Sequence, residues 1–110
     1  LEVRFKPHPR YRAEGRDLYM TLPVAPWEAA LGAQVDTPTP GGTVEVSIPA
    51  GSGNGRKLRL RGRGIPGDPP GDLYLVLDLV LPPADSEAAR AAYRKLQQDV
   101  PFNPRRHLGV

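Results

Sequence analysis

The 110-residue sequence contains no cysteine, which excludes disulfides, thiolate zinc sites and cysteine nucleophiles together. The same absence suits a reducing cytoplasm, the compartment expected here. No apolar run approaches membrane-spanning length, and no segment shows a signal peptide's order of basic, apolar and small residues. Charge of one sign is scarcely in excess: 15 Lys and Arg against 12 Asp and Glu leave a formal net charge of +3. A case for nucleic acid therefore rests on where the charge lies. The two histidines, His8 and His107, sit near opposite ends. Neither has a carboxylate, serine or second histidine at a spacing that makes a ligand or base on one element, so both read as surface residues. Ser47, Ser52 and Ser86 lack a nucleophile-elbow context. No catalytic residue, metal site or cofactor is expected.

What is present is turn-forming and alternating. Gly 12 and Pro 14 are high counts, yet the apolar residues fall in ordered runs, so the reading is a mainly β domain with many turns. The length suits one small domain rather than two independent cores. Leu1, Val3 and Phe5 alternate with Glu2, Arg4 and Lys6 from the first residue, without an initiator Met. This is expected to be the end of a strand in a longer protein.

From Asp17 the chain alternates again, with Leu18, Met20, Leu22 and Val24 on one side and Tyr19 and Thr21 on the other. Pro26 to Gly32 predicts a short helix, with Pro26 at the first position and Gly32 as a left-handed residue past the end. Val35 to Thr37 predicts a brief strand closed by Pro38, Pro40, Gly41 and Gly42. Val44, Val46 and Ile48 predict the next, with Glu45 and Ser47 outward. Leu58 and Leu60 alternate with Lys57, Arg59 and Arg61.

The strongest strand signal is Asp72 to Leu81. Leu73, Leu75, Leu77, Leu79 and Leu81 share one face, and Tyr74, Val76 and Val80 the other. Two largely apolar faces predict a central strand covered on both sides, each buried Leu contributing about 1.5–3 kcal/mol. After Pro82-Pro83 the period changes. Asp85 or Ser86 can cap a helix to about Gln98, with Glu87 early and Arg94 and Lys95 later along the dipole.

Three constellations bear on function. Gly51-Ser52-Gly53-Asn54-Gly55-Arg56-Lys57 has glycines before basic residues, but lacks Walker spacing and precedes a strand, so it reads as an inter-strand loop. Arg56, Lys57, Arg59, Arg61 and Arg63 form the densest basic cluster. It either tracks phosphates or is a solvated face that blunts edge pairing, and no aromatic is interleaved along it. The helical stripe Ala89, Ala92, Tyr93, Leu96 and Val100 either packs on its own sheet or meets a second copy of the chain.

The ordered run His8-Pro9-Arg10-Tyr11, Gly15-Arg16-Asp17-Leu18 and Trp27-Glu28-Ala29-Ala30-Leu31-Gly32 resembles the second C-terminal β-domain of DnaJ-type (J-domain) co-chaperones. Ile48-Pro49-Ala50-Gly51, Leu58 through Gly64 and Gly71-Asp72-Leu73-Tyr74 follow in that family's order. Pro26-Trp27 and the tail Phe102-Asn103-Pro104-Arg105 are most similar to its bacterial curved-DNA-binding members. The resemblance implies a small β-sandwich with one internal helix and a C-terminal helix. It divides the chain into the end of a preceding β-domain (1–6), the second β-domain (7–84) and a dimerising helix and tail (85–110). It implies a homodimer through Ala89, Ala92, Tyr93 and Leu96, unfolded polypeptides as clients, and a DnaK-type chaperone as partner of the full-length protein. DNA enters as an alternative ligand of Arg56, Lys57, Arg59, Arg61 and Arg63, with nucleoid association. No membrane partner is implied. The J-domain's His-Pro-Asp signature is absent, since His8-Pro9-Arg10 differs at its third residue, so this chain is not expected to stimulate an ATPase. The cysteine-rich zinc repeats of one DnaJ class are absent too, and the family's main peptide groove belongs to the preceding domain.

Overall fold

The alternation that begins at Asp17 is carried by an eight-residue strand at the centre of the molecule. In the computed structural model, which describes residues 11–109, β1 (Tyr11–Glu14) pairs antiparallel with β2 (Asp17–Val24). The strand expected over Leu1 to Lys6, and His8, lie outside the described residues. β1 was not foreseen: Arg12, Ala13 and Glu14 are all exposed, so this edge strand has almost no apolar face to announce it.

The rest follows as α1 (Pro26–Leu31), β3 (Ala33–Thr39), β4 (Gly42–Ile48), β5 (Lys57–Leu60), β6 (Leu73–Leu79) and α2 (Glu87–Asp99). One sheet has the order β1-β2-β6-β5 and the other is the β3-β4 ribbon. β2 and β6 run parallel, from Leu18 opposite Leu73 to Val24 opposite Leu79. A parallel pair needs a long crossover, and α1 through β5 supply it.

The core lies between the sheets. Met20, Leu22 and Val24 from β2, Leu73, Leu75 and Leu77 from β6, Val46 and Ile48 from β4, and Ala29 from α1 are all buried together. The chain is thus the mainly β sandwich that its patterning predicts.

α1 forms with Pro26 at its first position, while the Glu28 carboxylate accepts from the Ala25 N–H at 2.8 Å. Its last carbonyls are met by the following turn: Gly51 N–H donates to Ala30 and Ser52 N–H to Ala29. Gly32 has φ +82° but ψ 151°, so it is a positive-φ residue without being left-handed helical. A Cβ there would press on Ala50 N and Ile48 O at 3.1 Å.

Three local expectations are corrected. β3 is seven residues long and runs through Pro38, which pairs opposite Thr43. In a two-stranded ribbon each strand keeps an open edge, where a missing N–H costs no ladder bond. β6 is central, but among the described residues no layer covers its second face, and Tyr74 and Val76 are only half-buried. Its leucine row also stops short: Leu73, Leu75 and Leu77 are buried, whereas Leu81 lies past the strand end at 71% exposed. Of the two uses open to the α2 stripe, packing on its own sheet is not seen, since none of its residues is buried. The Cα radius of gyration is 18.0 Å, against about 13 Å for a compact domain of about 100 residues, because helix and tail extend from the sandwich.

Candidate functional site

Two surfaces stand out, one on the sheet and one on α2. On the sheet, Met20 and Leu22 point into the core, so Tyr19 points outward, and the same parity turns Tyr74 and Arg59 outward. The register then aligns one residue from each strand: Arg12 opposite Tyr19, Tyr19 opposite Tyr74, and Tyr74 opposite Arg59. The Tyr19 and Tyr74 rings stack with centroids 5.0 Å apart and planes 18° from parallel. The Arg12 guanidinium lies 4.7 Å from the Tyr19 centroid and the Lys57 ammonium 5.7 Å from it. Desolvation chiefly, with Glu14, Tyr74 and Asp17 nearby, raises the Tyr19 phenol above its ordinary pKa, against the opposing pull of Arg12.

Carboxylates border this row. Arg59 Nη2 is 2.6 Å from Asp72 Oδ2, and Gly62 N–H donates to Asp72 Oδ1 at 3.0 Å. The backbone N–H of Gly62 first, and Arg59 second, hold the Asp72 carboxyl below the usual carboxylate range. The Asp72 bond in turn raises the Arg59 pKa. Arg12 reaches Glu14 at 3.5 Å.

The glycine- and proline-rich loop from Gly62 to Gly71 is locked to the β1–β2 turn. Ile65 N–H donates to Arg16 O, Gly71 N–H to Ile65 O, and Arg16 Nη1 to Pro69 O at 2.8 Å. Gly71 sits directly against the Arg16 carbonyl, a place no side chain can enter. Asp72 N–H completes the lock by donating to Asp17 Oδ1 at 2.8 Å. Asp72 is thus an anchor of the sheet face. The Gly51–Gly55 turn likewise spends its polar groups inward, with Gly55 N–H on Leu77 O and Asn54 Oδ1 on Leu79 N–H. No helix follows it, as its sequence predicts.

The basic cluster is therefore divided. Lys57 and Arg59 share the outer face, and Arg61 lies just past β5, close enough to lower the Asp72 pKa. Arg56 precedes the strand and Arg63 lies in the loop, lining a groove with Pro40, Gly41 and Pro66. The aromatics that the cluster lacks along β5 arrive across the sheet, from β2 and β6. Tyr19, Tyr74 and Arg12 were missed as site residues, although the outward parity of Tyr19 and Tyr74 was readable.

On the second surface, Ser86 caps α2 by accepting from Ala89 N–H at 3.1 Å. Two side-chain bonds tie the helix to its own approach segment: Tyr93 Oη donates to Pro82 O at 2.6 Å and Arg90 Nη1 to Ala84 O at 3.1 Å. Tyr93, Leu96, Gln97, Val100 and Phe102 line an open groove of about 350 Å³. Leu96 is 56% exposed and Phe102 80%. Of the predicted contact residues, Tyr93 and Leu96 line this groove, while Ala89 and Ala92 lie on the helix outside it. Val100 was on the predicted stripe. Phe102 was not, because it follows Pro101, where helical spacing ceases to apply.

Among the described residues no group of three His, Asp or Glu is placed to hold a metal, and no helix is long and apolar enough to cross a membrane.

This two-sheet sandwich, with its short internal helix and C-terminal helix, is placed in a family by comparison with known proteins. The model of the DnaJ C terminal domain matches residues 1–82, and the chain belongs to that family. Similar full-length proteins include the Curved DNA-binding protein of Coxiella burnetii (strain Dugway 5J108-111), 45% identical over 98% of this chain and 34% of its own length. Those of Pseudomonas putida (strain KT2440) and Serratia proteamaculans (strain 568) are 45% and 43% identical over 96% of the chain. The chain spans about a third of the length of these curated relatives.

Proposed function

We propose that this chain is the client-handling, self-associating end of a co-chaperone that works with a DnaK-type partner. Its β-domain spans residues 7–84, and the helix and tail, residues 85–110, join two copies. The observation that carries this reading is the apolar groove of Tyr93, Leu96, Val100 and Phe102 on a helix with no buried residue. An isolated 13-residue helix is marginal in water, so its apolar face favours a partner. A second copy suits it, because a two-fold contact needs only one self-complementary patch. Two tethered β-domains then hold one unfolded client more tightly than either alone, the second contact being intramolecular. Trp27 and Leu31, one turn apart on α1 and exposed, offer apolar contact for such a client. Work with the DnaK-type partner, in the cytoplasm, belongs to the full-length protein.

The test is suppression of aggregation of a heat-unfolded reporter protein. The chain is expected to suppress it, and the Tyr93→Ala, Leu96→Ala double variant to do so several-fold less well while its β-domain melts unchanged. No suppression by the unsubstituted chain contradicts client handling.

A second reading is a DNA-binding, nucleoid-associated module. The relatives' name and the outward Lys57, Arg59 and Arg61 favour it. It requires duplex affinity that falls steeply with salt and is lost when Arg59 and Arg61 are made neutral. Salt-insensitive or undetectable binding contradicts it.

A further inference from the structure

The outer sheet face combines two features that duplex phosphate contact alone does not need. One is a π stack running across the sheet, from the Arg12 guanidinium through Tyr19 to Tyr74. The other is a set of cations on and just past β5: Arg59 directly opposite Tyr74, Lys57 on the same strand with its ammonium 5.7 Å from the Tyr19 centroid, and Arg61 just beyond. Tyr19 has both ring faces engaged, by Arg12 on one side and Tyr74 on the other, with Lys57 near. The second face of Tyr74 has no aromatic or cationic contact among the described residues. Arg59 is held by Asp72, but neither Lys57 nor Arg61 has an ion-pair partner among the described residues. The face is thus a short stack whose Tyr74 end meets β5, with Lys57 and Arg61 free of ion pairs among the described residues and Glu14, Asp17 and Asp72 along the border that Arg61 adjoins.

We propose that this face binds single-stranded DNA, a base stacking on Tyr74 while Lys57, Arg59 and Arg61 meet the adjoining phosphates. The proposal rests on the DNA-binding reading above and narrows it, because a base reaches a tyrosine face only when it is outside a duplex. The charges on and just past β5 complement a phosphate strand, and stacking is tolerant of base identity. Three phosphate contacts imply a slope of log affinity against log salt of about −2 for a single strand.

The experiment measures fluorescence anisotropy of a labelled oligothymidylate, a duplex of equal length and an oligouridylate, each with the 110-residue chain. The oligothymidylate is expected to bind tightest, Tyr74→Ala to weaken it about 5- to 150-fold, and Tyr74→Phe to preserve it. Unchanged binding by Tyr74→Ala overturns the stacking site. If duplex affinity still falls in Lys57→Ala, Arg61→Ala, the broader DNA reading survives that result. If neither DNA binds, both fall. Equal or tighter oligouridylate binding overturns the assignment to DNA. Should Tyr74→Ala not fold, ultraviolet cross-linking of the unsubstituted chain decides: an adduct at Tyr74 is expected, and adducts confined elsewhere overturn the proposal.

Discussion

Arg59 on β5 and Asp72, one residue before β6, meet through two donors on one oxygen: Nη2 at 2.6 Å and Nε at 2.7 Å from Asp72 Oδ2. Oδ1 remains free to accept from Gly62 N–H, so one carboxylate joins the edge strand, the loop and the central strand. A folded-state pKa below the unfolded value means that the ionised form is favoured by folding. The associated stability is complete above the unfolded pKa of about 3.9 and is lost as pH falls through the lower folded value. Asp72→Asn is therefore expected to lower the thermal midpoint at pH 7, and the gap from the unsubstituted chain to shrink as pH drops below about 4. A gap unchanged between pH 7 and pH 2 would show that charge on Asp72 contributes nothing.

Gly71 is pressed against the Arg16 carbonyl, backbone to backbone. Gly71→Ala has no flexible neighbour to displace and is expected to cost about 3 kcal/mol or more in urea unfolding. Gly53 has open space around its α-carbon, and Gly53→Ala is expected to change stability by less than about 0.5 kcal/mol. Equal effects from the two would remove the loop lock from the account.

Leu75 and Leu81 belong to one alternating run yet occupy opposite environments, fully buried and 71% exposed. Leu75→Ala is expected to destabilise by about 2–5 kcal/mol, and Leu81→Ala by less than about 0.5 kcal/mol. Chemical denaturation of the two variants checks this directly.

That contrast also marks how far local pattern reaches. β2, α1 and α2 were legible because alternation, helical spacing and capping residues act over a few neighbours, and Asp17, Pro26 and Ser86 sit where those rules place them. Where the Asp72–Leu81 run leaves the sheet was not legible, since alternation continues after the partner strand has ended at Val24. β1 gave no signal because only Tyr11 packs against the core, while Arg12, Ala13 and Glu14 are exposed.

The sheet surface was hidden for a different reason. No aromatic interrupts Lys57 to Arg63 along the chain, and only the parallel pairing of β2 with β6 sets Tyr19 beside Tyr74 and both beside the basic strand. Register between distant strands is not a local property. The α2 stripe was visible, but its period is the same whether it faces its own sheet or another molecule. In the folded chain no residue of the stripe is buried.

Molar mass by light scattering across a concentration series tests the central claim most directly, comparing the unsubstituted chain with Tyr93→Ala, Leu96→Ala. The account predicts a dimer of about twice the 12.0 kDa chain that becomes a monomer in the double variant. A chain that stays monomeric at every concentration, or a double variant that remains fully dimeric, would contradict it.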